Sequence, residues 1–159
     1  MTMDSFTIAI TVDETPEQAF AAINNVRGWW SQDIEGRTDT VGEAFDYRYQ
    51  DVHRCRIQVT DLVPGRKVAW HVLDNYFSFT KDPAEWKDTR MVFDISRQGG
   101  KTNIRFTHVG LYPDHECYEA CNQGWGTYIG SSLRDLIAKG KGQPNAGQPM
   151  TEKERALTA

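Results

Sequence analysis

The sequence predicts one α+β domain, in which a curved six-stranded antiparallel sheet wraps around a long C-terminal helix. Three observations favour this architecture: a strand and a short helix begin the chain, a run of strands continues to about Leu111, and an amphipathic helix follows. A sheet with one apolar face and an amphipathic helix bury those surfaces against each other. The 159 residues, 39 % hydrophobic and 25 % charged, suit a single globular domain.

The first elements are indicated by local patterns. Residues 5–12 alternate between apolar and polar side chains, which is typical of a half-buried strand. Thr15 and Gln18 have the spacing of a capping box, and Pro16 suits the first helical position. Apolar residues then recur at helical spacing as far as Val26, and residues 31–42 are expected to form a polar connection.

The turns of the strand region predict which residues face each other across the sheet. Gly99-Gly100 and Pro64-Gly65 each suit a tight turn. At Gln50-Asp51, a two-residue loop would pair aromatic residues with arginines, whereas a three-residue loop pairs them with buried partners, so the longer loop is predicted. The predicted pairs are Ile95–Ile104, Phe93–Phe106, Met91–His108, Val59–Trp70, Ile57–Val72, Phe45–Ile57, Tyr47–Cys55 and Tyr49–His53.

The last strong element is an amphipathic helix over residues 115–139, which Gly140 ends. The domain is therefore assigned to residues 1–142, and residues 143–159 have the Gly, Pro and polar composition of a flexible tail. Thr151 and Glu154 have the spacing to cap one brief terminal turn. The tail is not expected to contribute to a binding site.

Charge and cysteine content exclude several classes of protein. The 18 basic and 22 acidic residues give a formal net charge of −4, and no cluster of Lys and Arg indicates nucleic-acid binding. No apolar run approaches the ~20 residues of a membrane span, and acidic residues near the N-terminus disfavour a signal peptide. Three cysteines suit no paired disulfide framework, so a cytoplasmic location is expected.

Short motifs occur in a characteristic order along the chain. They are Thr15-Pro16-Glu17, Gly28-Trp29-Trp30-Ser31, Gly42-Glu43-Ala44-Phe45, Val63-Pro64-Gly65, Thr102-Asn103-Ile104-Arg105-Phe106-Thr107-His108, Gly124-Trp125-Gly126-Thr127-Tyr128-Ile129, and Ser131-Ser132-Leu133 followed by Gly140-Lys141-Gly142. From about Phe6 to Pro144 the chain resembles the START-like, or Bet v 1-like, domains of the SRPBCC superfamily. Within them it resembles bacterial proteins classed with the C-terminal domain of the activator of the heat-shock-protein-90 ATPase. The resemblance implies the helix-grip fold and no particular catalytic residue, since such domains include ligand carriers, cyclases and co-chaperone domains.

Aromatic residues make up 11 % of the chain, and the predicted register places many of them beneath the long helix. Gly124, Gly126 and Gly130 interrupt that helix, at about 1 kcal/mol each relative to Ala. Such glycines indicate either close packing against the sheet or room for a bound molecule. A packed core and a ligand cavity therefore both remain open. The candidate cavity residues are Trp30, Phe45, Tyr47, Tyr49, His53, Cys55, Trp70, Phe77, Met91, Phe93, Phe106, His108, Cys121, Trp125 and Tyr128.

His53, Cys55 and His108 form the polar part of this set. The two histidines could exchange protons near neutral pH, or they could hydrogen-bond to a tyrosine hydroxyl or the backbone. The connection over residues 74–89 is longer than a hairpin needs. It is interpreted either as a lid with apolar cover or as a strand extension followed by a turn, with Trp86 on the rim.

A metal site is a further candidate, since His108, His115, Cys117 and Cys121 are residue types that zinc accepts. Their spacing matches no zinc pattern, so neither a metal nor a cofactor is predicted. The sequence contains none of the common nucleophile or phosphate-binding motifs, and no catalytic residue is assigned.

Three functions follow as hypotheses. The first is a binding protein whose cavity holds an apolar or aromatic small molecule. The alternative, implied by the family resemblance, is a co-chaperone-like module with a protein partner. The third is an enzyme of cyclase or hydrolase type that uses the cavity histidines.

Overall fold

A computed structural model describes residues 4–157 of the chain. Its strands are β1 (Phe6–Val12), β2 (Ile34–Gly36), β3 (Ala44–Tyr49), β4 (His53–Val63), β5 (Lys67–Phe77), β6 (Arg90–Gln98) and β7 (Lys101–Val109). Its helices are α1 (Pro16–Asn24), a 3₁₀ turn (Val26–Gly28), α2 (Tyr118–Thr127), a π-helical segment (Tyr128–Leu133), α3 (Arg134–Lys139) and α4 (Glu152–Leu157). None of these helices is long and apolar enough to span a membrane.

The strands form one antiparallel sheet in the order β1-β7-β6-β5-β4-β3-β2, with α1 and the long helix over its buried face. The α+β helix-grip fold is confirmed, but the described residues form seven strands rather than six. The extra strand, β2, lies in the connection expected to be a loop. The Arg27 guanidinium donates to the carbonyls of Ile34 and Gly36, which holds this edge in place. Three residues are too few for alternation to reveal a strand.

The predicted strand register is confirmed at every pair. Phe93 lies opposite Phe106, Trp70 opposite Val59, and Tyr49 opposite His53. At Pro64-Gly65 the strands first pair at Val63–Lys67, which leaves a three-residue loop, and the irregularity between Val59 and Asp61 restores the predicted pairing at Val59–Trp70. A second irregularity lies between Arg56 and Ile57, beyond the predicted pair Ile57–Val72. Bulges of this kind bend and twist a sheet.

The capping box predicted at the start of α1 is formed. Thr15 Oγ1 accepts from Gln18 N at 3.1 Å while Gln18 Oε1 accepts from Thr15 N at 2.9 Å. The long helix begins at Tyr118 rather than at residue 115, and it is not uniformly α-helical. Its central π-helical segment lies between α2 and α3, and such segments occur frequently at functional sites.

Residues 143–157, described above as a tail, lie against the domain in the structure. Asn145 is buried, donates its N–H to Trp30 O and accepts from Gln32 N, both at 2.8 Å. Gly142, immediately before residues 143–157, lies where a Cβ would be 2.5 Å from Gly28 O. Polar composition concealed the packing because hydrogen bonds anchor these residues, and only Met150 and Leu157 pack against the hydrophobic core. We call residues 143–157 the C-terminal segment.

Candidate functional site

A cavity of about 70 Å³ lies between strands β3–β5, the long helix and the C-terminal segment. Its inner wall consists of buried side chains, and its rim consists of half-buried ones. The lining residues are Trp30, Tyr47, Tyr49, Val52, His53, Phe77, Phe79, Trp86, Ala120, Cys121, Gly124, Trp125, Tyr128, Glu154 and Leu157.

Aromatic rings form most of the inner wall. Trp30 stacks on Tyr47 with ring centroids 4.3 Å apart and lies 5.1 Å from Trp125. Trp125 lies nearly parallel to Trp86 at 5.7 Å. Alternation along β3 directs Tyr47 and Tyr49 to the same buried face. The wall is therefore continuous from the sheet to the helix.

Trp86 reaches the wall from the loop between β5 and β6, residues 78–89. The Glu85 carboxylate accepts from Glu116 N at 3.1 Å and Cys117 N at 3.0 Å, just before helix α2. In return, Glu116 accepts from Lys81 N at 2.9 Å. A carboxylate at a helix start satisfies free N–H groups and complements the helix dipole. These bonds fix the loop over the cavity.

His53 belongs to the cavity wall. Its Nε2 lies 2.8 Å from Asn75 Oδ1, and its ring contacts Phe77 and Trp86 at 4.3 and 4.6 Å between centroids. Burial lowers the pKa of His53 to about 3, with the Asn75 bond opposing this change. His53 is thus neutral at physiological pH.

His108 lies behind the wall, and both its ring nitrogens are engaged. Trp125 Nε1 donates to His108 Nδ1 at 3.2 Å, so Nδ1 is the acceptor and the proton resides on Nε2. Nε2 then donates to Thr89 Oγ1 at 2.8 Å, and Thr89 donates to Trp86 O. Burial lowers the pKa of His108 to about 3. This histidine orients two cavity tryptophans and does not itself line the cavity.

Tyrosines and one carboxylate form the polar end of the cavity. Tyr128 donates to Glu154 Oε2 at 3.0 Å, and Asn145 Nδ2 donates to the Tyr128 hydroxyl at 3.1 Å. Burial, followed by the charge of Glu154, raises the pKa of Tyr128, and burial raises that of Tyr47 well above its usual value. Both hydroxyls remain protonated and can donate hydrogen bonds.

Cys55, Cys117 and Cys121 are buried free thiols, not joined in a disulfide. Cys121 Sγ, on the wall, accepts from Trp86 Nε1 at 3.3 Å. A hydrogen bond to Cys121, together with burial, raises the pKa of the Cys117 thiol, and burial raises that of Cys55. Within residues 4–157, no three His, Cys, Asp or Glu side chains are grouped to hold a metal ion.

The structure divides the predicted cavity residues into two groups. Those on the cavity wall are Trp30, Tyr47, Tyr49, His53, Phe77, Cys121, Trp125 and Tyr128. The remainder are buried but do not line the cavity, namely Phe45, Cys55, Trp70, Met91, Phe93, Phe106 and His108. The packed-core and cavity interpretations therefore each describe part of the interior.

Sequence reasoning did not assign Val52, Ala120, Glu154 or Leu157 to the cavity. Glu154 and Leu157 come from α4, whose Thr151–Glu154 capping box is formed as expected. That signal indicated a helical turn but not where the turn docks. The loop residues Phe79 and Trp86 line the cavity, as a lid would, whereas Tyr76 faces outward beneath Arg54.

An antiparallel sheet folded against a long helix over an aromatic interior defines the SRPBCC, or START-like, class of domain. Within that class, the chain belongs to the family described as activator of Hsp90 ATPase homolog 1-like protein, which it matches over residues 13–138. No curated protein matches the chain.

Solved structures share the fold. The Aha1 dimer from Colwellia psychrerythraea is 26 % identical, with a TM-score of 0.71 over 88 % of this chain and 100 % of that one. DynU16, from the dynemicin biosynthetic locus, is 14 % identical with a TM-score of 0.65 over 89 % of this chain and 49 % of that one. CalU16 from Micromonospora echinospora is 15 % identical with a TM-score of 0.62, covering 96 % and 80 %.

Proposed function

We propose that the protein binds a small apolar or aromatic molecule in this cavity. The observation that carries the proposal is the cavity's composition, an aromatic wall with a few polar groups at one end. Small-molecule sites are commonly concave, mostly apolar and equipped with a few well-placed polar groups. The neutral His53 and the protonated tyrosines add hydrogen-bonding groups without adding charge.

The size of the cavity limits what it accepts in this state. Sites for drug-sized molecules usually measure about 300–1,000 Å³, whereas this cavity measures about 70 Å³. The cavity therefore suits a compact molecule or one compact group of a larger molecule. Displacing the C-terminal segment, which supplies Glu154 and Leu157 to the rim, would make room for a larger ligand.

Gly124 supports a binding role for the cavity. A Cβ built at Gly124 meets nothing within 4 Å, so this glycine is not required for close packing against the sheet. A glycine inside a helix costs about 1 kcal/mol relative to Ala. At Gly124 that cost coincides with open space on the cavity wall.

Tryptophan fluorescence tests the proposal, because Trp30, Trp86 and Trp125 line the cavity. Titration with compact apolar and aromatic compounds should change the emission in a saturable way. Gly124→Leu should fill the cavity and abolish the change. Gly126→Leu, in the same helix but away from the cavity, should preserve it. Saturable binding that survives Gly124→Leu would place the ligand elsewhere, and no response to any compound would refute the proposal.

A second candidate, a module that binds a protein partner, is favoured by the family to which the chain belongs. Gly124→Leu distinguishes the two candidates, since a partner on the outer surface should still bind this variant. An enzyme using both histidines is not proposed, because the His108 nitrogens are both engaged. The three unbonded cysteines support a reducing, cytoplasmic location as part of this proposal.

A further inference from the structure

We infer that the cavity selects a small organic cation of the methylated-ammonium class. The inference rests on the proposed function and adds the charge and shape of the ligand. It is carried by two features of the same cavity, its indole and phenol rings and the carboxylate of Glu154.

The rings suit a cation because an aromatic face attracts positive charge. The attraction is strongest for Trp, extends to about 6 Å from the ring centroid, and is the usual basis for binding quaternary ammonium groups. Trp30, Trp86 and Trp125 line the cavity together with Tyr47 and Tyr128. A volume of about 70 Å³ keeps any occupant close to several of these rings at once.

Glu154 gives the cavity a negative end. Its Oε1 accepts from Met150 N at 2.7 Å and Thr151 N at 3.1 Å, while Oε2 accepts from Tyr128. These bonds hold the carboxylate in one orientation at the rim. Its charge, after burial, contributes to the raised pKa of Tyr47 and Tyr128, so its field reaches across the cavity.

The other described lining residues do not counter this field. They include no lysine or arginine, and His53 is neutral because burial lowers its pKa to about 3. An organic anion would lie beside the carboxylate and the aromatic rings of the wall. The electrostatics of the cavity therefore favour positive charge over negative charge.

Methylation distinguishes the expected ligand from a simple amine. A primary ammonium carries three N–H donors and is strongly hydrated, so its burial requires several acceptors. The wall offers mainly rings, with acceptors grouped at the Tyr128–Glu154 end. A fully methylated ammonium has no N–H to satisfy and presents methyl groups to the rings. It also has the compact shape that the cavity requires.

The decisive experiment compares choline and tetramethylammonium with 3,3-dimethylbutan-1-ol, a neutral molecule of nearly the same shape as choline. Calorimetric titration of the full chain should show the cations binding about tenfold more tightly than the alcohol. Glu154→Gln should remove most of that preference, since glutamine carries no charge but can still cap α4 through Oε1. Glu152→Gln, the matched control on the exposed face of α4, should behave as wild type.

The outcomes separate the two claims. If the alcohol binds as tightly as choline, the cation inference is overturned and the proposed small-molecule function stands. If Glu154→Gln retains the full preference for cations, the inference is likewise wrong. If the cations, the alcohol and aromatic compounds all fail to bind, the proposed function itself is wrong.

Discussion

At the scale of single residues, the two buried histidines make the protein sensitive to acid. The pKa of each is lowered to about 3 by burial, against an ordinary value of 6.5. Below pH 6.5 the unfolded chain therefore binds protons that the folded chain does not. Stability is fully present above that pH and is lost as the pH falls toward 3, by about 1.4 kcal/mol per pH unit for each histidine.

His108→Gln should reduce this pH dependence. Glutamine offers an acceptor for Trp125 and a donor for Thr89, so the variant should fold, with a lower free energy of unfolding at pH 7 by about 1–3 kcal/mol. The slope of that free energy between pH 6 and pH 4 should fall by roughly 1.4 kcal/mol per unit. Urea denaturation across this range measures both quantities.

Gln98→Ala, at an exposed position of β6 that does not titrate, is the surface control for this prediction and should leave the slope as in wild type. An unchanged slope in His108→Gln would mean that this histidine is not held neutral by its surroundings.

Local rules determined which residue positions and pairings could be predicted from the sequence. Alternation and turn chemistry were sufficient to pair Tyr49 with His53 and Phe93 with Phe106, because these two ladders continue from their turns without a register shift. The same rules could not separate cavity wall from core, since Trp70 and Trp125 are both buried aromatic residues. That distinction depends on where neighbouring elements leave space.

At the scale of elements, Gly124 and Gly126 make helix α2 less stable than alanine would at the same positions. Ala at either position meets nothing within 4 Å, so each substitution should raise the free energy of unfolding by up to ~1 kcal/mol. Only Gly124→Ala places a methyl group on the cavity wall. We expect it to weaken ligand binding while Gly126→Ala does not.

Thermal unfolding and ligand titration of this pair separate stability from cavity space. If both variants are more stable than wild type but differ in their affinity for the ligand, the cavity assignment is supported. A destabilised Gly124→Ala would show instead that the helix and its neighbours leave no room at this position.

The long helix also shows the limit of periodicity at this scale. Apolar spacing predicted its extent to Lys139 but not its π-helical centre, because one extra residue per turn scarcely changes a pattern of threes and fours. Tyr128 and Ser132 in that centre both bond to the C-terminal segment. The segment and the irregular helix are thus parts of one contact.

At the scale of the whole molecule, composition predicted a flexible tail where the structure places the rim of the cavity. Asn145 anchors the C-terminal segment through bonds to Trp30, Gln32 and Tyr128. Beyond this anchor, α4 has no buried residue and only six residues, too few for an isolated helix to be stable. The contacts that hold α4 include Lys153–Glu119 at 3.3 Å and Tyr128–Glu154. The anchor at Asn145 is therefore held more firmly than α4.

This difference predicts that a chain ending at Gln148 retains the fold but opens the cavity. Since Asn145 and its bonds remain, the far-ultraviolet circular dichroism should lose only the contribution of α4, and the melting temperature should fall only modestly. Loss of Glu154 and Leu157 exposes the rim, so association of neutral aromatic ligands should accelerate and larger ones should bind.

Stopped-flow tryptophan fluorescence measures the rate of this association. Leu157→Ala, which opens the rim but keeps Glu154, should give an intermediate rate; equal rates in all three proteins would mean that α4 does not control entry.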